Sequence, residues 1–152
     1  MNSYYVIEKF LNTDTEKKLL DTALEVQDWY QHFSSKSGEY TALKFYDPKL
    51  TFLGRKCWLM KLDPNEIVKE HVDGWRNTVL IYPLTENYAP CVTRQGKTSE
   101  AILLNSQQPH SVINNCTTRI NLQILFDEDI DDTLRIFKNR TTNELVPSGL
   151  SD

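Results

Sequence analysis

Apolar positions between residues 57 and 126 come in short runs that are separated by turn-forming residues. Short runs rich in β-branched and aromatic residues predict β-strands. The predicted strands cover residues 57–62, 66–73, 78–84, 91–93, 101–104, 110–113 and 118–126, and shorter ones are expected at 4–10 and 41–46. Six or seven strands at such even spacing predict a β-sandwich or a double-sheet jelly roll.

Turn residues predict how some of these strands pair. The tripeptide Gln95-Gly96-Lys97 predicts a hairpin between strands 91–93 and 101–104. Residues 114–117 predict a second hairpin, which joins the last two strands. Pro83 lacks a backbone N–H for the ladder, so it predicts the end of a strand or an edge.

Two helices are expected at the ends of the strand-rich region. Thr13 followed by Glu16 is a capping-box signature for a supporting helix over about residues 14–30. Three- and four-residue spacing predicts that one apolar face of this helix packs on a sheet. That face consists of Leu19, Leu20, Ala23 and Leu24 and would extend to Tyr30. Acidic residues 127–132 suit the start of a short second helix, and residues 141–152 are expected to form a frayed tail.

Length and composition limit the classes of protein to consider. The chain has 152 residues, of which 39% are hydrophobic and 25% charged, so we expect one globular domain over 1–152 with its core at about 57–126. No apolar run approaches the ~20 residues of a membrane span. The net charge of −4 provides no global field that would attract nucleic acid.

The composition of the N-terminal segment and the spacing of the cysteines favour a cytoplasmic protein. The N-terminus MNSYYVIEKF lacks a basic segment followed by an apolar core, so we predict no secretory signal. The three cysteines are widely spaced, without a CxxC pair, and are expected to be reduced thiols. The oligomeric state cannot be predicted from these features.

The candidate chemistry lies between residues 71 and 119. Two of the three histidines fall here: His71 is followed by a carboxylate at Asp73, and His110 comes 39 positions after His71. Because residues i and i+2 of a strand point the same way, His71 and Asp73 are expected on one face of a strand or of its end. Two imidazoles and one carboxylate on one side of a metal suit non-haem Fe(II) and leave coordination sites open.

The last predicted strand has one polar and one apolar face. Arg119 shares its parity with Asn121 and Gln123, and the opposite parity is entirely hydrocarbon through Phe126. Two interpretations stay open at this point. The polar face meets water, as is usual for a two-layer sheet, or it lines a polar pocket.

These residues resemble those of the Fe(II)- and 2-oxoglutarate-dependent oxygenases. The pattern is His-x-Asp, then Pro-His-Ser-Val, then an Arg nine residues after the second His. The chain is most similar to the small prolyl-hydroxylase-like and aspartyl/asparaginyl-hydroxylase-like members. The segment HVDGWRNTVLIYPL resembles their second and third core strands, and LLNSQQPHSVINNCTTRINLQILF resembles their late core strands. Because the aspartyl/asparaginyl branch typically lacks the carboxylate ligand, Asp73 favours the prolyl-hydroxylase-like pattern.

The resemblance implies a fold and a set of roles. The fold is mainly β, a cupin-like double-stranded β-helix with the N-terminal helix packed on the sheet. The iron ligands would be His71, Asp73 and His110. Arg119 would pair with the distal carboxylate of 2-oxoglutarate, since a guanidinium offers a planar fork for carboxylates, and Gln123 would add a hydrogen bond there. Arg76 would face the substrate.

The implied activity is hydroxylation of a peptide side chain or a small amino-acid-like molecule. O2 and 2-oxoglutarate would be consumed, with succinate and CO2 as co-products. Two alternatives stay open: a non-catalytic β-sandwich or cupin-like binding module that uses the same concave face, and another cupin-type metal enzyme. The latter usually carries a His-x-His pair and a following Glu, which this chain lacks. The short gap between the histidines predicts trimmed middle strands and so leaves the substrate open.

Overall fold

Antiparallel strands are the main secondary structure of the chain, as its short apolar runs predict. The computed structural model describes residues 2–34, 38–47, 49–74 and 76–140, so the predicted tail lies outside the described residues. The strands in these ranges are β1 Tyr4–Val6, β2 Tyr30–Ser34, β3 Glu39–Tyr46, β4 Thr51–Phe52, β5 Arg55–Leu62, β6 Ile67–His71, β7 Thr78–Pro83, β8 Cys91–Thr93, β9 Lys97–Thr98, β10 Ile102–Asn105, β11 His110–Ile113 and β12 Arg119–Phe126. The helices are α1 Thr13–Glu25 and α2 Ile130–Lys138.

Within the described ranges, the strands form two antiparallel sheets. The larger sheet has the order β1-β10-β7-β12-β5-β3-β2, with β4 paired to β5. The smaller sheet has the order β6-β11-β8-β9. Consecutive strands thus alternate between sheets over much of the chain, which is the arrangement of a jelly roll and confirms the predicted fold class.

Both faces of the central strand β12 are buried. Ile120, Leu122 and Ile124 point to the side where Leu19 of α1 and Phe137 of α2 complete the main core. This confirms that the N-terminal helix packs on the sheet.

The opposite face of the larger sheet is covered by the smaller sheet. Leu62 of β5 packs with Val68 of β6 and Val112 of β11. Cys91 of β8 packs in the same way against Val79 of β7. The odd-numbered side chains of β12 therefore face the space between the two sheets and not bulk water.

The structure corrects both predicted hairpins. β8 pairs with the two-residue strand β9 around Gly96, whose φ is 144°, whereas β10 lies between β1 and β7 in the larger sheet. β11 and β12 belong to different sheets and do not pair. A short apolar run predicts where a strand lies, but its partner depends on which apolar face the strand covers.

The first helix is shorter than predicted. It ends at Glu25 rather than near residue 30, and Tyr30 begins β2 instead. Its N-cap is Asn12, whose side chain accepts from the Thr15 N–H at 2.8 Å, so Thr13 is already helical. The predicted apolar face is too wide, because Leu24 is 65% exposed. Neither helix of the described chain is long and apolar enough to cross a membrane.

Asn114 stabilises the segment where the chain crosses from the smaller to the larger sheet. It is 5% exposed, and its side-chain nitrogen lies 3.2 Å from the Leu62 carbonyl and 2.9 Å from the carbonyls of Asp63 and Thr117. We expect Asn114→Ala to lower the free energy of unfolding by about 2–3 kcal/mol in urea titration, because these buried carbonyls lose their donor. Ile113→Ala next to it is the control. Ile113 is 68% exposed, so the expected loss is under about 0.5 kcal/mol, and equal losses would contradict this role.

Candidate metal centre

The two histidines of the predicted triad lie side by side in the smaller sheet. His71 is the last residue of β6, His110 is the first residue of β11, and they are direct cross-strand partners. Their ring centroids are 4.3 Å apart. Cross-strand pairing therefore brings together two residues that are distant in the sequence.

Asp73 follows β6 and is not part of the strand, which ends two residues earlier than predicted. Its backbone N–H donates to the Ser106 carbonyl at 2.8 Å, and this bond holds the segment after β6 close to the end of β10. Asp73 Oδ1 lies 3.5 Å from His71 Nε2, and Oδ2 lies 3.8 Å from His110 Nε2. One ligand atom of each residue lies within 4.8 Å of those of the other two. Such a donor set suits non-haem Fe(II).

Backbone carbonyls orient both imidazoles. His71 Nδ1 lies 2.7 Å from the Lys69 carbonyl oxygen, and His110 Nδ1 lies 2.9 Å from that of Gln108. Because a carbonyl only accepts, each Nδ1 donates, and each Nε2 is left to face Asp73. A histidine that binds a metal through Nε2 requires this arrangement. The carbonyl that orients each ring is two residues earlier in the chain, a contact that the sequence pattern does not reveal.

The electrostatics keep Asp73 ionised. Burial raises its pKa, but the hydrogen bond from His71 and the charges of Arg76 and His110 outweigh burial and lower the pKa to about 2. The hydrogen bond to Asp73 raises the pKa of His71, whereas burial lowers the pKa of His110. Neutral pH therefore leaves the carboxylate charged, and a cation that binds here would displace any proton on His71 Nε2.

Arg76, predicted to face the substrate, lies against Asp73. Its Nε donates to Asp73 Oδ2 at 2.9 Å, and its guanidinium carbon is 5.6 Å from the ring centre of Trp58. The side chain is 12% exposed. Arg76 thus contacts a candidate metal ligand, and its role toward a substrate stays a prediction.

A cavity between the two sheets brings the predicted side chains together. Its polar lining includes His71, Arg76, His110, Arg119 and Gln123, and apolar residues of both sheets complete it. The polar face of β12 therefore lines a pocket, which is the second of the two interpretations of this strand. Gln123 is oriented by Trp58, whose Nε1 donates to Gln123 Oε1 at 3.2 Å.

Arg119 is a buried cation that faces this cavity. It is 4% exposed, its Nε donates to the Ala89 carbonyl at 2.9 Å, and its guanidinium carbon lies 4.0 Å from the ring centre of Tyr88. No carboxylate in the described part of the chain forms an ion pair with it. A buried charge is costly unless an opposite charge pairs with it, so this position favours an anionic ligand. Tyr88 and Ala89 were missed at the sequence level, because their segment has no periodic pattern.

Comparison with solved structures identifies the fold. A prolyl hydroxylase from Trichoplax adhaerens, solved in complex with a peptide fragment of the hypoxia inducible factor oxygen degradation domain, matches with a TM-score of 0.63 at 13% identity, over 91% of this chain and 88% of that one. A prolyl-4-hydroxylase from Pseudomonas putida matches with a TM-score of 0.60 at 13% identity, over 83% and 92%. The viral collagen prolyl hydroxylase of Paramecium bursaria Chlorella virus 1, a 2-oxoglutarate complex, matches with a TM-score of 0.55 at 11% identity, over 82% and 94%.

Sequence comparison adds no relative. No protein-family model matches the chain, and no curated protein matches it. The solved structures confirm the resemblance at the level of the fold. The chain therefore has the jelly-roll fold of the prolyl hydroxylases, and a His-Asp-His group lies in its smaller sheet and the loop that follows β6.

Proposed function

We propose that this chain is an Fe(II)- and 2-oxoglutarate-dependent dioxygenase. The observation that carries the proposal is the convergence of two carbonyl-oriented imidazoles and one ionised carboxylate on a common point. The fold supports it, because the prolyl hydroxylases that share this jelly roll belong to the same class of oxygenase.

The residues present fit the metal. His71, Asp73 and His110 would hold Fe(II) with two nitrogens and one oxygen, and the cavity side of the ion would stay open for ligands. When bound, iron with 2-oxoglutarate and O2 supplies the oxidation of a C–H bond, and succinate and CO2 are released. The chain's own part is to orient the ligands and to exclude water with the apolar side chains of the cavity.

The charge of 2-oxoglutarate is complementary to that of the Arg119 guanidinium. Arg119 would bind the distal carboxylate of 2-oxoglutarate through its terminal nitrogens, since its Nε is already used by Ala89. Gln123 lines the same cavity and would donate to that carboxylate through its amide nitrogen, because its Oε1 already accepts from Trp58. These two side chains come from one face of β12, which places them on a rigid central strand.

The substrate that we propose is a peptide side chain or a small amino-acid-like molecule. The Trichoplax adhaerens neighbour, which binds a peptide fragment, supports the peptide class. The non-catalytic alternative expects His71 and His110 to lie far apart or to be bonded to protein groups. Both Nδ1 atoms are bonded to backbone carbonyls, but the two histidines are direct cross-strand partners whose Nε2 atoms face Asp73, and this convergence favours the enzyme.

Turnover of the cosubstrate tests the proposal directly. We expect the purified chain to convert 2-oxoglutarate into succinate only when both Fe(II) and O2 are supplied, and to stop when a chelator removes the metal. Succinate is quantified by mass spectrometry, with and without a peptide library as substrate. In anaerobic titration, Fe(II) and 2-oxoglutarate together should produce the visible charge-transfer band of the chelate. Failure of the chain to bind either of them would refute the proposal.

A further inference from the structure

The loop between β7 and β8 contacts the guanidinium of Arg119 in two ways. The Ala89 carbonyl accepts a hydrogen bond from Arg119 Nε at 2.9 Å. The ring of Tyr88, the preceding residue, lies 4.0 Å from the guanidinium carbon, within the range of a cation–π interaction. Two consecutive loop residues thus determine where this side chain points.

The loop is itself tied to the strand that carries Arg119. The Leu84 N–H donates to the Ile120 carbonyl at 3.0 Å, and the Ile120 N–H donates to Thr85 Oγ1 at 3.2 Å. Asn115 Nδ2 donates to the Asn87 carbonyl at 2.7 Å. The start of β12 and the loop therefore form one connected unit.

The Tyr88 ring has its own restraint. Asn121, two residues beyond Arg119 on the same face of β12, donates from Nδ2 to Tyr88 Oη at 2.8 Å. Asn121 is 1% exposed. Burial raises the pKa of the Tyr88 hydroxyl, even with Arg119 nearby, so the ring remains neutral at physiological pH.

We propose that Tyr88 is a positioning residue, whose buried ring orders the Arg119 guanidinium before an anion binds. The role rests on the proposed function, since the anion is the distal carboxylate of 2-oxoglutarate. An arginine side chain loses much rotamer freedom when it binds a ligand. A side chain that is already ordered loses less, so the ring raises the affinity without touching the ligand.

The test compares Tyr88→Leu, which removes the ring, with Tyr88→Phe, which removes only the hydroxyl. The first measurement is ¹⁵N relaxation of the Arg119 Nε–H and terminal nitrogen groups in the metal-free protein. We expect the order parameters to fall in Tyr88→Leu and to be preserved in Tyr88→Phe. This measurement needs neither iron nor cosubstrate.

The second measurement is the affinity for 2-oxoglutarate in the anaerobic Fe(II) protein. We expect the Kd to rise by about 10-fold in Tyr88→Leu and by less than about 2-fold in Tyr88→Phe, with Fe(II) affinity unchanged in both. Tyr30→Leu is the matched control, because Tyr30 is 65% exposed and lies at the far edge of the larger sheet. If Tyr88→Leu does not fold, Tyr88→Met takes its place, because a flexible methionine fills the same space without a ring and should lower the same order parameters.

Three outcomes separate the possibilities. Unchanged Arg119 order in Tyr88→Leu, or in Tyr88→Met where that variant replaces it, would overturn the positioning role. Equal losses of 2-oxoglutarate affinity in Tyr88→Leu and Tyr88→Phe would overturn it in favour of the hydroxyl as a direct ligand. If the unchanged protein binds no 2-oxoglutarate, the proposed function fails, and the relaxation data still decide whether Tyr88 orders Arg119.

Discussion

The Asp73→Ala variant is expected to bind Fe(II) about 100-fold more weakly than the unchanged protein and to form no measurable succinate. Loss of a hydrogen-bond partner of a metal ligand already costs about 10–100-fold in affinity or activity, so loss of a ligand should reach at least the upper end. Anaerobic titration with Fe(II) measures the first effect, and succinate formation measures the second.

Glu70→Ala is the matched control for Asp73→Ala. Glu70 is an exposed carboxylate on β6, three residues before Asp73, so its loss changes the net charge by the same amount without touching the triad. We expect it to leave both Fe(II) affinity and turnover unchanged. Thermal unfolding of the metal-free proteins checks that Asp73→Ala is folded. Normal turnover by a folded Asp73→Ala protein would exclude the proposed ligand set.

Arg119→Met is expected to raise the Kd for 2-oxoglutarate by about 100-fold or more and to change Fe(II) affinity by less than about 3-fold. Removing one partner of a buried, hydrogen-bonded charge pair costs about 2–5 kcal/mol, which corresponds to roughly 30-fold to several thousand-fold in Kd. Methionine keeps an unbranched apolar stem of similar length, so packing between the sheets is largely preserved. The charge-transfer band of the anaerobic chelate reports both affinities in one titration.

Arg94→Met provides the comparison for Arg119→Met. Arg94 is exposed in the turn after β8, and its loss should alter neither affinity. An equal loss of Fe(II) and 2-oxoglutarate binding in Arg119→Met would indicate damage to the whole site. In that case, the assignment of this guanidinium to the cosubstrate would be wrong.

Much of the candidate site could be predicted because its chemistry depends on residue type. Only His71 and His110 offered imidazoles within the strand-rich region, and Arg119 lies at the start of a predicted strand whose other face is hydrocarbon. The predicted strand bounds around Asp73 were wrong, since β6 ends at His71 and a loop held by the Ser106 carbonyl places the carboxylate. The loop residue Tyr88 could not be predicted, because its contact with Arg119 depends on a loop path without any periodic signal.

The sequence by itself determined the strand-rich character of residues 57–126, because short apolar runs bounded by turn residues are a local property of the chain. It also determined which side chains were available to bind a metal and a carboxylate. Only the tertiary structure decided that β11 and β12 lie in different sheets, that Arg119 and Gln123 face a cavity, and which carbonyls orient the imidazoles. The physical reason is that strand pairing and the covering of a sheet face depend on long-range packing, and the same local alternation is compatible with several partners.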